Sequence, residues 1–173
     1  MKIPTTEKVD NMGETLSVET NRFGRIEFDA QAVLHFNGLP GFANAKRFIV
    51  IDHSETESFS WLVSVDDPEL AFVIANPWHF FAGYDPAVAP RHLKSLAITE
   101  PGQLETVVMA TFVGRKGSLN LSAPLLINSE SRRGAQVILD DPRYSTREEI
   151  PWAEPIAEAR TVAASQSVHE AVE

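Results

Sequence analysis

The sequence predicts a mostly β protein, a compact antiparallel β-barrel-like domain with one short helix. Three observations lead there. Short runs rich in β-branched and aromatic residues recur along the chain, among them RFIVID, FSWLVSV and LAFVIA. Polar turns, several bearing glycine or proline, separate them. Strand and helix patterns never alternate with the regularity that a parallel sheet needs, so an antiparallel barrel or sandwich fits best. Closure into a barrel would leave no exposed edge.

The 173 residues fit one domain, since domains run to roughly 100 to 200 residues. Residues 1–14 are polar and aperiodic, which predicts a flexible N-terminal arm. The barrel domain is expected over 15–150. Within it, LSVETNRFGRIEF alternates on both sides of Asn21 to Gly24, a hairpin whose Gly24 can take a left-handed turn. AVLHF then leads into NGLPGF, where Gly38, Pro40 and Gly41 suit a fixed turn. Strands are expected at 47–52, 59–65 and 70–75, with the tight DDPE connection between the last two. PRHLKSLAI places Leu93, Leu96 and Ala97 at helical spacing behind a permitted first-turn proline, so the one helix belongs there. LETVVMATFVG, LNLSAPLLIN and GAQVIL complete a set of about eight or nine strands, with turns around Gly114–Gly117 and Ser129–Gly134. Residues 151–173 form an acidic, Ala/Glu-rich tail, with Glu154, Glu158, Glu170 and Glu173 against Arg160, expected to be disordered or a marginal helix. No repeat of fixed period appears, which argues against solenoids and propellers.

Composition excludes much chemistry. Zero cysteines remove disulfides, thiolate zinc sites, iron–sulfur clusters and thiol nucleophiles. A net charge of -9 repels phosphate backbones unless cations gather on one face, so direct nucleic-acid binding is not expected. No apolar run approaches the roughly 20 residues of a membrane helix, and the first residues lack the pattern of a secretion signal. The expected location is cytoplasmic.

The search for a site returns few motifs. The five histidines show no metal-binding spacing, and no GxSxG elbow, phosphate loop or dinucleotide fingerprint is present. Asp66, Asp67 and Glu69, with Asp140 and Asp141, could supply paired carboxylates, but each group is also what a strand-ending turn prefers. NPWHFFAGY crowds Trp78, Phe80, Phe81 and Tyr84 into one irregular segment, either core packing or an interaction patch. Arg115 and Lys116, and Arg132 and Arg133, are basic spots at expected hairpin tips. A continuous positive face joining them would be needed for nucleic-acid binding. A small-molecule barrel of lipocalin type is the alternative to a protein binder and would need a roomy apolar interior.

An extended series of strings resembles the flagellar assembly factor FliW family. It runs from TNRFGRIEF through GLPGF (38–42), KRFIVI and WLVSVDDPELAFVIANP to NLSAPLLIN, RRGAQVILDD and YSTR, covering residues 20 to about 147. The family often carries an acidic residue after GLPGF, where this chain has Ala43. The resemblance implies a compact β-barrel-like fold, no enzymatic activity and no cofactor. It also implies two exclusive protein partners: a CsrA-like RNA-binding regulator, whose repression of flagellin translation is antagonised, and flagellin itself. Such a chaperone-like factor is expected to be monomeric when free. The shared strings and the aromatic run mark Asp66, Asp67, Trp78, Phe80, Phe81, Asn120, Pro124, Asn128 and Gln136 as protein-binding candidates.

Overall fold

A computed structural model describes residues 13–52 and 56–151. The chain opens with an antiparallel hairpin, β1 (Thr15–Thr20) and β2 (Gly24–Asp29). Its turn is closed by Thr20, whose hydroxyl donates to the Gly24 carbonyl and accepts from the Phe23 amide, both at 2.9 Å. Gly24 takes φ +66, the left-handed conformation expected of it. There follow β3 (Leu34–Phe36), β4 (Arg47–Asp52), β5 (Phe59–Ser64), β6 (Ala71–Ala75), helix α1 (Pro90–Ser95), β7 (Leu104–Val113), β8 (Lys116–Leu119), β9 (Leu125–Asn128), β10 (Arg133–Gln136) and the two-residue β11 (Glu148–Glu149).

Seven strands close on themselves in the order β3-β4-β5-β6-β7-β9-β10, and β10 returns to β3. All pairings in this ring are antiparallel except β10 with β3, a single parallel joint in an otherwise antiparallel wall. β7 is long enough to serve two neighbours on one edge. Its first half pairs with β9, Leu104 facing Asn128, and its last residues pair with β8, Val113 facing Lys116. β11 then adds to β8.

Alternation along the strands sorts the apolar residues by face. Leu34, Phe36, Phe48, Leu62, Ile74, Leu125 and Ile127 form the set shared around the ring, with Phe72, Val107 and Met109 packed against it. The opposite face of β4 to β8 carries Ile49, Trp61, Val63, Val73, Val108, Ala110 and Phe112, roofed by Val18, Phe23, Ile26 and Phe28 of the hairpin. A third set joins Leu126 and Val137 to Leu96, just past α1.

The structure refines the expected elements. Eleven strands are found among the described residues, against eight or nine expected. LNLSAPLLIN is not one strand: the Asn120 amide bonds the Met109 carbonyl at 2.9 Å, yet Val107 already faces Leu125. Two steps along β7 are matched by five along the other chain, so Leu121–Pro124 bulge out. GAQVIL forms a strand only as far as Gln136, because the Val137 and Leu139 amides turn to the Pro124 and Ser122 carbonyls and follow that bulge. The helix stops at Ser95, three residues early. The Ala97 amide bonds Lys94 and the Ile98 amide bonds Leu93, a Schellman ending that puts Ala97 at φ +53, where glycine is usual. The expected arm and tail fall outside the described residues, apart from residues 13, 14 and 151.

Candidate functional site

Three of the strings singled out in the sequence converge at one corner of the barrel. The turn between β5 and β6 carries Asp66 to Leu70, and its backbone is locked by Ser64, whose hydroxyl accepts from the Asp66 and Asp67 amides at 3.1 and 3.0 Å. Asp67 closes an Asx turn on the Glu69 amide at 3.0 Å. The β1–β2 turn docks on this corner: the Asn21 amide donates to the Pro68 carbonyl at 3.0 Å and its side chain to Glu69 at 2.9 Å.

The third string is the loop from Gly38 to Ala45. Gly38, at φ +93, approaches Ala43 so closely that a Cβ would lie 2.9 Å from its carbonyl oxygen, which only glycine tolerates. Asp66 fastens this loop to the turn. It accepts from the Lys46 and Arg47 amides at 3.0 and 2.8 Å and pairs with the Arg47 guanidinium at 2.8 Å. Partial burial alone would raise the Asp66 pKa, but those donors and the nearby cation outweigh it and hold the carboxyl below its ordinary value.

Between loop and turn lies an open cleft of about 400 Å³, lined by Gly41 to Ala45 on one side and by Asp66, Asp67, Pro68 and Leu70 on the other. Ala43, Asn44 and Asp67 are exposed at it, and Phe42 stacks edge-on against Phe72 at 5.2 Å. The cleft therefore offers a carboxylate, an amide and an aromatic edge at a rigid mouth.

The aromatic segment forms a second region on the outside of the wall. Asn76 caps a single 3₁₀ turn over Pro77–His79. Trp78 remains 40% exposed, with its indole N–H donating to the Tyr84 carbonyl at 2.8 Å. Phe80 packs on Phe59 at 5.3 Å, and Phe81 is half-buried against the same apolar set. Tyr84 is buried, donates to the Leu121 carbonyl at 2.8 Å and meets Tyr144 edge-on at 4.8 Å. Arg143 holds Asp141 at 2.7 Å beside it.

The remaining candidates are engaged within the fold. Asn120 accepts from the Ala123 amide at 3.1 Å and the Ser122 hydroxyl at 3.3 Å. The Pro124 carbonyl accepts from the Val137 amide, and Gln136 donates to the Ala123 carbonyl at 3.1 Å. Asn128, 3% exposed, donates to the Leu96 and Ala97 carbonyls and accepts from the Glu130 and Ser131 amides. Of the nine candidates, only Asp66 and Asp67 share the cleft. Sequence reading missed Phe42 and Asn44 as candidates, although the rigid GLPGF turn that ends at Phe42 was the available clue.

Geometry also bears on the competing chemistries. Asp66 belongs to the cleft, whereas Asp141 sits with Arg143 and Tyr144 outside it, so the two acidic turns do not make one carboxylate pair. Arg115 and Lys116 flank the Val113 end of β7, while Arg132 follows Asn128 at the Leu104 end. Ten strand residues, about 30 Å, separate the two basic spots. Phe36, Phe48 and Phe72 fill the shared inner set, against the roomy interior that a lipocalin-type binder needs. Among the described residues no cluster of three or more metal-ligating side chains occurs.

Fold and site together define a small closed β-barrel that presents a surface cleft and an outer aromatic apron. The FliW protein family model matches residues 17–150. The flagellar assembly factor FliW of Magnetococcus marinus is 34% identical over 139 residues, 78% of this chain and 85% of that protein. That of Syntrophotalea carbinolica is 36% identical over 132 residues, 75% of this chain and 94% of its own. A crystal structure of the flagellar assembly factor FliW superposes with a TM-score of 0.72 at 32% identity, covering 77% of this chain and 95% of the other. The chain belongs to the FliW family of flagellar assembly factors.

Proposed function

We propose that this protein acts in flagellum assembly as a non-catalytic partner switch in the cytoplasm. It binds a CsrA-like RNA-binding regulator and flagellin in mutually exclusive complexes, and so relieves repression of flagellin translation until flagellin displaces the regulator. The observation that carries this reading is the corner cleft, where three of the strings shared with the family converge on a rigid, exposed and chemically mixed mouth. Asp67, beside Phe42 and Asn44, is the foremost contact, with Asp66 holding the loop that shapes it. Trp78, Phe80 and Phe81 provide the second contact region, Asn120, Pro124 and Gln136 set the bulge that Tyr84 anchors beside it, and Asn128 holds the chain after α1.

The net charge of -9 gives the switch a means of acting on RNA. An acidic body bound beside the regulator's RNA site disfavours a phosphate backbone by repulsion, without occupying that site. The test is size-exclusion chromatography of the protein mixed with the regulator and with flagellin from the same source. A complex with each, and no ternary complex, is expected; failure to bind either would overturn the reading. At matched occupancy, release of RNA by the regulator should weaken with salt. Salt-independent release would remove the electrostatic part alone.

A further inference from the structure

One strip of the barrel wall runs against the acidity of the whole. His35 is the one outward residue of β3, since Leu34 and Phe36 on either side are 1% and 3% exposed. In the ladder it faces Arg47 of β4 on one side and Arg133 of β10 on the other. Directly paired residues project to the same face, so the three side chains form one row across three strands. Two strand spacings of about 4.8 Å make the row about 10 Å long. Lys46 and Arg132 adjoin its two ends in sequence.

The fold keeps this row open and in place. The hairpin β1–β2 roofs the outer apolar face from β4 to β8, and the chain after α1 covers that of β9 and β10; β3 lies between the two covers. Arg47 is fixed by Asp66. At the other end Arg132 takes φ +59, anchors its guanidinium on the Ala32 carbonyl at 2.9 Å and accepts the His35 amide at 2.8 Å. Nearby carboxylates are engaged: Asp66 by Arg47, and Glu130 by Gln103 at 2.8 Å. His35, Lys46 and Arg133 are exposed, and their side chains have no hydrogen-bond or ion-pair partner among the described residues.

We propose that this row docks a short acidic segment of a partner protein, whose Asp or Glu carboxylates pair with Arg133 and His35 and reach toward Arg47. A guanidinium fork matches a carboxylate in two hydrogen bonds. A short peptide suits the row better than RNA, because a phosphate chain running past a 10 Å strip meets the repulsion of the -9 body. The row meets the corner cleft only at Arg47, which pairs with Asp66 of the cleft lining, and His35 and Arg133 lie beyond it, so the proposal does not depend on which partners that cleft takes.

The test is fluorescence anisotropy of the full chain with a fluorescein-labelled peptide of alternating Glu and Gly, and separately with labelled oligouridylate. At low salt the peptide should bind more tightly than the RNA, and high salt should weaken it. His35→Glu combined with Arg133→Glu should cost at least about tenfold in affinity, while Arg133→Lys, which keeps the charge but loses the two-bond fork, should cost an intermediate amount, about threefold. Arg115→Glu, on the distant hairpin, should change nothing. All these positions are exposed, and an unshifted thermal transition verifies folding. No peptide binding at low salt, equal loss with Arg115→Glu, or tighter binding of oligouridylate would each overturn the proposal.

Discussion

The bulge at Leu121–Pro124 and the corner cleft both interrupt strands with proline and polar residues, yet they dispose of their polar groups in opposite ways. The bulge is stitched shut. Ser145 accepts from the Leu121 and Ser122 amides, Tyr84 donates to the Leu121 carbonyl, and Asn120 and Gln136 close the rest from within. At the corner Asp66 is fully engaged, but Ala43, Asn44 and Asp67 face solvent around an open volume. Buried polar groups must be paired, so the first arrangement is what a wall requires. The second leaves capacity for a partner, which is what the proposed contact surface requires.

The difference can be broken from the sealed side first. Asn128→Ala strands two carbonyls and two amides, and should cost about 2–4 kcal/mol in urea unfolding. Tyr84→Phe leaves the Leu121 carbonyl unpaired and should cost about 1–2 kcal/mol. Burial pushes the Tyr84 phenol upward, helped by Tyr144 and Asp141. A raised pKa contributes stability below the unfolded value of about 10 that is lost as pH rises beyond it. The wild type should therefore lose stability above about pH 10, and Tyr84→Phe should flatten that limb.

Changes at the corner should be milder. Asp66→Asn weakens the fastening of the loop and should cost about 1 kcal/mol, reduced by solvent screening. Because the Asp66 pKa is lowered, its contribution is present above the unfolded value of about 3.9 and lost as pH falls through the folded one. An acid titration of stability should be shallower in the variant. The smallest effect is a gain: Ala97→Gly relieves a left-handed alanine at the end of α1 and should stabilise by up to about 1 kcal/mol.

Much of this was legible in the sequence, for identifiable reasons. Alternating runs with distinct turns announced β1, β2 and β4 to β7, because local pattern and burial agree there. LNLSAPLLIN misled because both halves have strand composition; that they meet β7 in different registers is a tertiary fact. The parallel joint of β10 with β3 is equally invisible, since nearly 100 residues separate the two strands. For the site, DDPE and GLPGF were each legible as turns. Their meeting through Asp66 and Arg47, and the row of Arg47, His35 and Arg133, exist only once the ring closes.

Ala43→Arg tests the corner most directly, since Ala43 is exposed at the mouth of the cleft and its side chain supports nothing inside the barrel. The binding experiment is size-exclusion chromatography with the CsrA-like regulator and with flagellin, alongside a thermal melt. Loss of at least one complex with an unshifted melt is the expected result. Both complexes persisting unchanged in the folded variant would contradict the cleft as the contact surface.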